Sequence, residues 1–78
     1  DVCQWCVDVI AKRGNEFFVI EIKPNAGAGA LGQALAYKKL LAREHRVPFN
    51  ARSIVMTDSV TPVLQQAARL LGVSLITA

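Results

Sequence analysis

Val7-Asp8-Val9-Ile10-Ala11-Lys12-Arg13-Gly14-Asn15-Glu16-Phe17-Phe18-Val19-Ile20-Glu21-Ile22-Lys23 is the stretch whose reading decides the fold. Two runs rich in β-branched and aromatic residues flank the polar segment Lys12 to Glu16, as in two strands joined by a tight turn. Gly14-Asn15 supplies the positive-φ residues of a two-residue hairpin. With these two as the turn, Arg13 faces Glu16 and Asp8 falls directly opposite Glu21. Alternate strand residues share a face, so Lys23 joins Glu21 on that side. Like charges opposed across strands destabilise a sheet. A divalent cation reverses that penalty, because hard cations take carboxylate oxygens and Mg²⁺ typically uses one or two carboxylates plus substrate phosphate. Taken alone, Glu21-x-Lys23 reads equally as a solvated ion pair of little energetic weight. The facing acid and the segment that follows are what point to chemistry.

Outward from the hairpin, residues 30–46 have the periodicity of a helix, approached through Pro24-Asn25-Ala26-Gly27-Ala28-Gly29 and closed before Pro48. Ser53 to Thr57 reads as a short buried strand. Thr61 or Ser59 caps a second helix reaching about Leu71, with Pro62 in its first turn and Gly72 stopping it. Val73 to Thr77 is a final strand. The order implies an α/β fold: a mixed sheet with an antiparallel hairpin, continuing as strand-helix-strand-helix-strand through right-handed crossovers. On the first helix, Gln33, Tyr37 and Glu44 share a row. Lys39, Arg43 and Arg46 form a basic stripe, and Leu31, Leu35 and Ala42 an apolar side. Lys12, Lys38, Lys39 and Arg43 are the candidate phosphate contacts, although such a stripe is more often a solvated face.

Composition describes one small globular domain over residues 1–78. The chain has 78 residues, 53% hydrophobic and 19% charged, without repeats or low-complexity tracts. A core of this size is marginal without a partner or metal, so a homodimer is a reasonable expectation. No apolar run approaches a membrane span and no signal peptide is recognisable, which suits a cytoplasmic setting. The net charge of +3 and pI ≈ 9.2 mildly favour a polyanionic partner. Cys3-Gln4-Trp5-Cys6 has the C-x-x-C spacing, but a structural zinc site usually needs four ligands and His45 is the single histidine. Two packed thiols are the favoured reading, with an intersubunit disulfide or zinc still open. His45, near the helix C-terminus, is expected at the surface.

Asp8, then Glu21-Ile22-Lys23, then Gln33-Ala34-Leu35-Ala36-Tyr37 together resemble the PD-(D/E)XK nuclease superfamily. Its signature is an acid on one strand, acid-x-Lys on the next, then a helix that in one branch carries Gln-x-x-x-Tyr. The resemblance covers about residues 7 to 58. It implies a restriction-endonuclease-like core and a Mg²⁺-dependent nuclease (with Mn²⁺ as substitute) hydrolysing phosphodiester bonds of DNA. Asp8, Glu21 and the backbone carbonyl of Ile22 would hold the metal. Lys23 would orient the attacking water or offset developing charge, and Gln33 and Tyr37 would sit beside the centre. Val7 stands where the family often has proline. The family core usually opens with a helix bearing another acid, and residues 1–6 supply at most a stub of strand in its place.

Two other readings compete. Gly27-Ala28-Gly29-Ala30-Leu31-Gly32 is a literal G-x-G-x-x-G after a strand, the context of a dinucleotide-binding turn, and Asp58 ends the next strand like a ribose-binding acid. Against it, Lys23 to Ala26 separate strand from glycine, Asp58 comes late, and a buried parallel strand should not carry Glu21 and Lys23. A flexible loop with close helix–sheet packing is preferred, so no dinucleotide is favoured as cofactor. The other competitor is a non-catalytic DNA-binding or interaction domain that keeps the nuclease fold.

Overall fold

The computed structural model describes residues 7–77, with side chains from residue 9 onward; Cys3 to Cys6 lie outside the described residues. Its elements run β1 (Val7–Arg13), β2 (Glu16–Ile22), α1 (Ala28–Arg43), β3 (Arg52–Thr57), α2 (Pro62–Leu71) and β4 (Ser74–Thr77). The four strands form one sheet in chain order, β1-β2-β3-β4. β1 pairs antiparallel with β2, and the β2–β3 and β3–β4 pairs are parallel. The mixed α/β sheet expected from the sequence is therefore the one formed.

The hairpin register is Arg13↔Glu16 through Asp8↔Glu21 to Val7↔Ile22, as the turn position implied. Gly14 has φ +62°, whereas Asn15 is not at positive φ. A positive φ at the first turn residue alone belongs to the II′ class, so the glycine carries the turn and the expected left-handed asparagine is corrected. Beside the hairpin turn Arg52 approaches Glu16 at 3.8 Å, with both side chains largely exposed. A pair this wet adds little stability.

Alternation along the strands separates two faces. Val19, Glu21, Ser53, Val55 and Thr57 are buried beneath the helices. There Val55 packs with Ala30, Leu31 and Ala34 of α1 and with Leu64 and Ala68 of α2. A second cluster joins Val19 to Leu41, Ala42, Val47 and Ala51, with Ile10, Phe17 and Tyr37 against it. The other face, with Val9, Phe18, Ile20, Ile22, Ile54, Met56 and Ile76, stays partly exposed.

Both helices end by the same local chemistry. Gly72, at φ +72°, closes α2: its N–H donates to Arg69 O, and Val73 N–H donates to Ala68 O. In α1 His45 takes that place at φ +62°, its N–H donating to Ala42 O while Arg46 N–H donates to Leu41 O. This is the Schellman arrangement. It stops α1 at Arg43 rather than at 46, so Arg46 leaves the basic stripe and Glu44 leaves the row of Gln33 and Tyr37. At the other end α1 begins two residues earlier than expected, placing Gly29 and Gly32 inside it. Their expected close packing against the sheet is not found: a Cβ added at Gly27, Gly29 or Gly32 would meet nothing within 4 Å. These glycines are exposed, while Ala30, Leu31 and Ala34 turn inward. Thr61 caps α2, its Oγ1 accepting from Leu64 N at 3.1 Å.

Two substitutions test this local accounting. His45→Gly removes a Cβ from a left-handed position and should raise stability by about 0.5–1 kcal/mol in chemical denaturation. Ser53 Oγ is buried without a hydrogen-bond partner among the described residues. Ser53→Ala should therefore stabilise by about 1 kcal/mol, read as a higher denaturation midpoint with unchanged slope.

Candidate active site

Polar chemistry collects where β2 ends and α1 begins. Glu21, only 7% exposed, lies on the helix-covered face between position 8 of β1 and Val55 of β3. Counting from the turn-flanking pair Arg13↔Glu16, Asp8↔Glu21 falls on a non-hydrogen-bonded pair, in which facing Cα atoms approach to about 4.5 Å. Positions 8 and 21 thus share one face at the closest spacing a sheet allows. A buried carboxylate is costly to desolvate and demands compensation by neighbouring charge or hydrogen bonds.

Lys23 sits just past β2, half-buried, with its N–H donating to Met56 O at 2.9 Å. In a trans peptide the carbonyl opposes the N–H. No cis peptide occurs among the described residues, so the Ile22 carbonyl points away from β3, toward the strand that carries Asp8. The Lys23 side chain turns to α1, and its Nζ donates to Gln33 Oε1 at 3.5 Å. Tyr37, one helical turn on, is half-buried, with its ring against the cluster around Val19.

The structure therefore gathers positions 8, 21, 22, 23 and 33 at one end of the sheet. The basic candidates lie elsewhere. Lys12 is four residues from Asp8 along β1, about 13 Å at strand spacing, and its Nζ stands 5.3 Å from the centroid of the Phe17 ring. Lys38, Lys39 and Arg43 follow Gln33 down α1, roughly 7 to 15 Å away at 1.5 Å per residue. Lys39 and Arg43 are exposed and Lys38 is half-buried. These four could touch a substrate's flanking backbone rather than a reacting group.

Sequence reasoning missed the way the β2–α1 connection is held. Thr57 Oγ1 accepts from Ala26 N at 3.0 Å and Asp58 Oδ1 accepts from Asn25 N at 2.9 Å. Asn25 is at φ +51°. The loop is pinned to β3, not free as expected, and the Asp58 oxygen that the dinucleotide reading would give to a ribose hydroxyl holds backbone instead. Its signal lay in Thr57-Asp58 at the end of a strand parallel to the one that feeds the loop.

The donor set bears on which metal would fit. Among the described residues no group of three or more His, Cys, Asp or Glu side chains converges. Two facing acid positions and a nearby carbonyl suit Mg²⁺, which keeps waters and substrate phosphate in its shell, better than zinc, which takes nitrogen and sulfur ligands. No helix among the described residues is long and apolar enough to cross a membrane.

No protein-family model and no curated protein matches the chain. Among solved structures, that of EndoMS in apo form, a nuclease of PD-(D/E)XK type, is similar, with a TM-score of 0.76 at 21% sequence identity. The likeness covers 94% of this chain and 32% of the EndoMS chain, so this chain spans about a third of that length. A likeness at this identity shows the fold, and the fold is nuclease-like.

The facing acid positions make a prediction about stability that is independent of activity. In a chelator, Asp8→Asn should raise stability by about 0.2–1 kcal/mol, because it neutralises one of two opposed charges. Added Mg²⁺ should then raise the melting temperature of the parent protein more than that of the variant. Calorimetry with and without the ion measures both effects.

Proposed function

We propose that this chain is a nuclease domain that hydrolyses phosphodiester bonds of DNA with the help of Mg²⁺. The observation that carries the reading is the Asp8↔Glu21 register with Lys23 tied to Gln33 beside it, in a sheet of nuclease-like fold. Asp8, Glu21 and the Ile22 carbonyl would hold the ion. When bound, Mg²⁺ supplies Lewis-acid charge and lowers the pKa of a coordinated water.

The chain's own residues do the rest. Lys23 Nζ, held by the Gln33 amide oxygen, aims positive charge at the position of the attacking water and the transferring phosphate, where negative charge develops. Gln33 restricts a long, rotamer-rich side chain to one direction, so less entropy is lost at the moment of reaction. Tyr37 buttresses that turn of α1 against the core. Lys12, Lys38, Lys39 and Arg43 take phosphates along the flanking strand, which positions DNA without reading its sequence.

The test is a titration of labelled duplex, single-stranded and branched DNA against Mg²⁺ and Mn²⁺. The parent protein should cleave at least one of these substrates. Asp8→Ala and Lys23→Ala should each lower kcat by about 10²–10³-fold while circular dichroism stays unchanged. Lys39→Ala and Arg43→Ala should weaken DNA binding and reduce the slope of log affinity against log salt by about one each. Cleavage retained by both purified catalytic variants would sink the assignment. Binding without cleavage under any divalent ion would favour a non-catalytic domain, and tight dinucleotide binding without Mg²⁺ the glycine-turn module.

A further inference from the structure

Every backbone N–H available between Lys23 and Ala26 ends on three consecutive residues, Met56 and Thr57 of β3 and Asp58 just beyond it. Lys23 N–H donates to Met56 O at 2.9 Å, Ala26 N–H to Thr57 Oγ1 at 3.0 Å, and Asn25 N–H to Asp58 Oδ1 at 2.9 Å. Pro24 has no N–H to give. Asn25 is meanwhile held at φ +51°, in the left-handed region that asparagine enters more readily than other non-glycine residues. Thr57 is buried and Asp58 exposed, so the fastening begins under α1 and runs out to the surface.

What the fastening controls follows from what is missing elsewhere. Lys23 lies beyond the last residue of β2. The start of α1 has no local lock either: its N-cap is Gly27, without a capping side chain. α2, by contrast, is capped by its own Thr61. α1 is seated by Ala30, Leu31 and Ala34 packing with Val55 and Leu64, and the path of the chain from β2 into it is fixed by Thr57 and Asp58. Gln33, ten residues after Lys23, meets the lysine Nζ at 3.5 Å across this connection.

We infer that Thr57 and Asp58 are positioning residues for the Lys23–Gln33 pair, acting through the backbone of Asn25 and Ala26. The catalytic consequence rests on the nuclease reading proposed above; the geometric one does not. The hydroxyl of Thr57 and one carboxylate oxygen of Asp58 are needed as acceptors, and the negative charge of Asp58 is not. This separates the role from metal binding, which requires the charge.

The experiment uses the whole chain and four variants. Thr57→Val and Asp58→Ala remove the acceptors; Thr57→Ser and Asp58→Asn keep them. Amide exchange at Asn25 and Ala26 and the side-chain amide resonances of Gln33 are followed by NMR, with Lys23→Ala marking Gln33 without its partner. Thr57→Val and Asp58→Ala should speed exchange at least tenfold and move the Gln33 signals toward their Lys23→Ala positions. Thr57→Ser and Asp58→Asn should keep both near the parent. On DNA with Mg²⁺, the first pair should lower kcat at least tenfold with KM unchanged, and the second pair should stay within twofold. Asp58 is exposed, so Asp58→Ala carries the test alone should Thr57→Val fail to fold. Unmoved Gln33 signals in folded Asp58→Ala, or loss of kcat in Asp58→Asn equal to that in Asp58→Ala, would overturn the inference. A parent protein that cleaves no DNA would instead overturn the nuclease reading, and the NMR readouts would still decide this one.

Discussion

The parity of the β1–β2 hairpin is the constraint on which the rest depends. Side chains alternate with a period of two, so the turn determines which residues see the helices and which see the far side. A two-residue turn at Gly14-Asn15 puts Asp8, Ile10 and Lys12 on the face of Phe17, Val19 and Glu21. A slip of one residue would carry the acid of β1 to the opposite face and leave Glu21 without its counterpart. Gly14 at φ +62° is the local feature that holds the count.

Around that register the fold places its polar groups economically. Glu21 of β2 with Lys23 just past it, and Thr57 of β3 with Asp58 just past it, all lie at the carboxyl ends of two adjacent parallel strands, where open α/β sheets characteristically bind ligands. The apolar clusters bear on the middle and the hairpin end of the sheet, leaving this end to charged and hydrogen-bonding groups. Burying Glu21 is an expense that packing alone does not explain. Under the nuclease reading proposed above, the carboxylate belongs to a site whose other members are supplied by β1 and α1.

Much of this was legible in the order of residues because it rests on local rules. The hairpin register came from one Gly-Asn pair, the cap of α2 from Thr61-Pro62, and its end from Gly72. Glu21 and Lys23 were grouped from the strand pattern and Gln33 by the family resemblance, and Lys23 Nζ does meet Gln33 Oε1, whereas Tyr37 packs against the core. What escaped were features decided across the fold. His45 ends α1 in a conformation that glycine usually takes, so nothing in its identity announced the stop. The glycines of 27–32 suggested close packing, but helix phase turned them outward. The fastening by Thr57 and Asp58 joins residues more than thirty positions apart, and no periodicity carries that information.

The partly exposed apolar face described for the sheet has a consequence for how such a chain can change over time. Along β2 and just past its end, Ile20 and Ile22 face one way while Glu21 and Lys23 face the other, so two surfaces are interleaved residue by residue in one short segment. Substitutions at Val9, Ile20, Ile54, Met56 or Ile76 alter what the back of the sheet can rest against, while the chemistry on the front touches none of them. Packing against the back of the sheet and the polar groups on its front can therefore drift independently, although their residues are immediate neighbours in the chain.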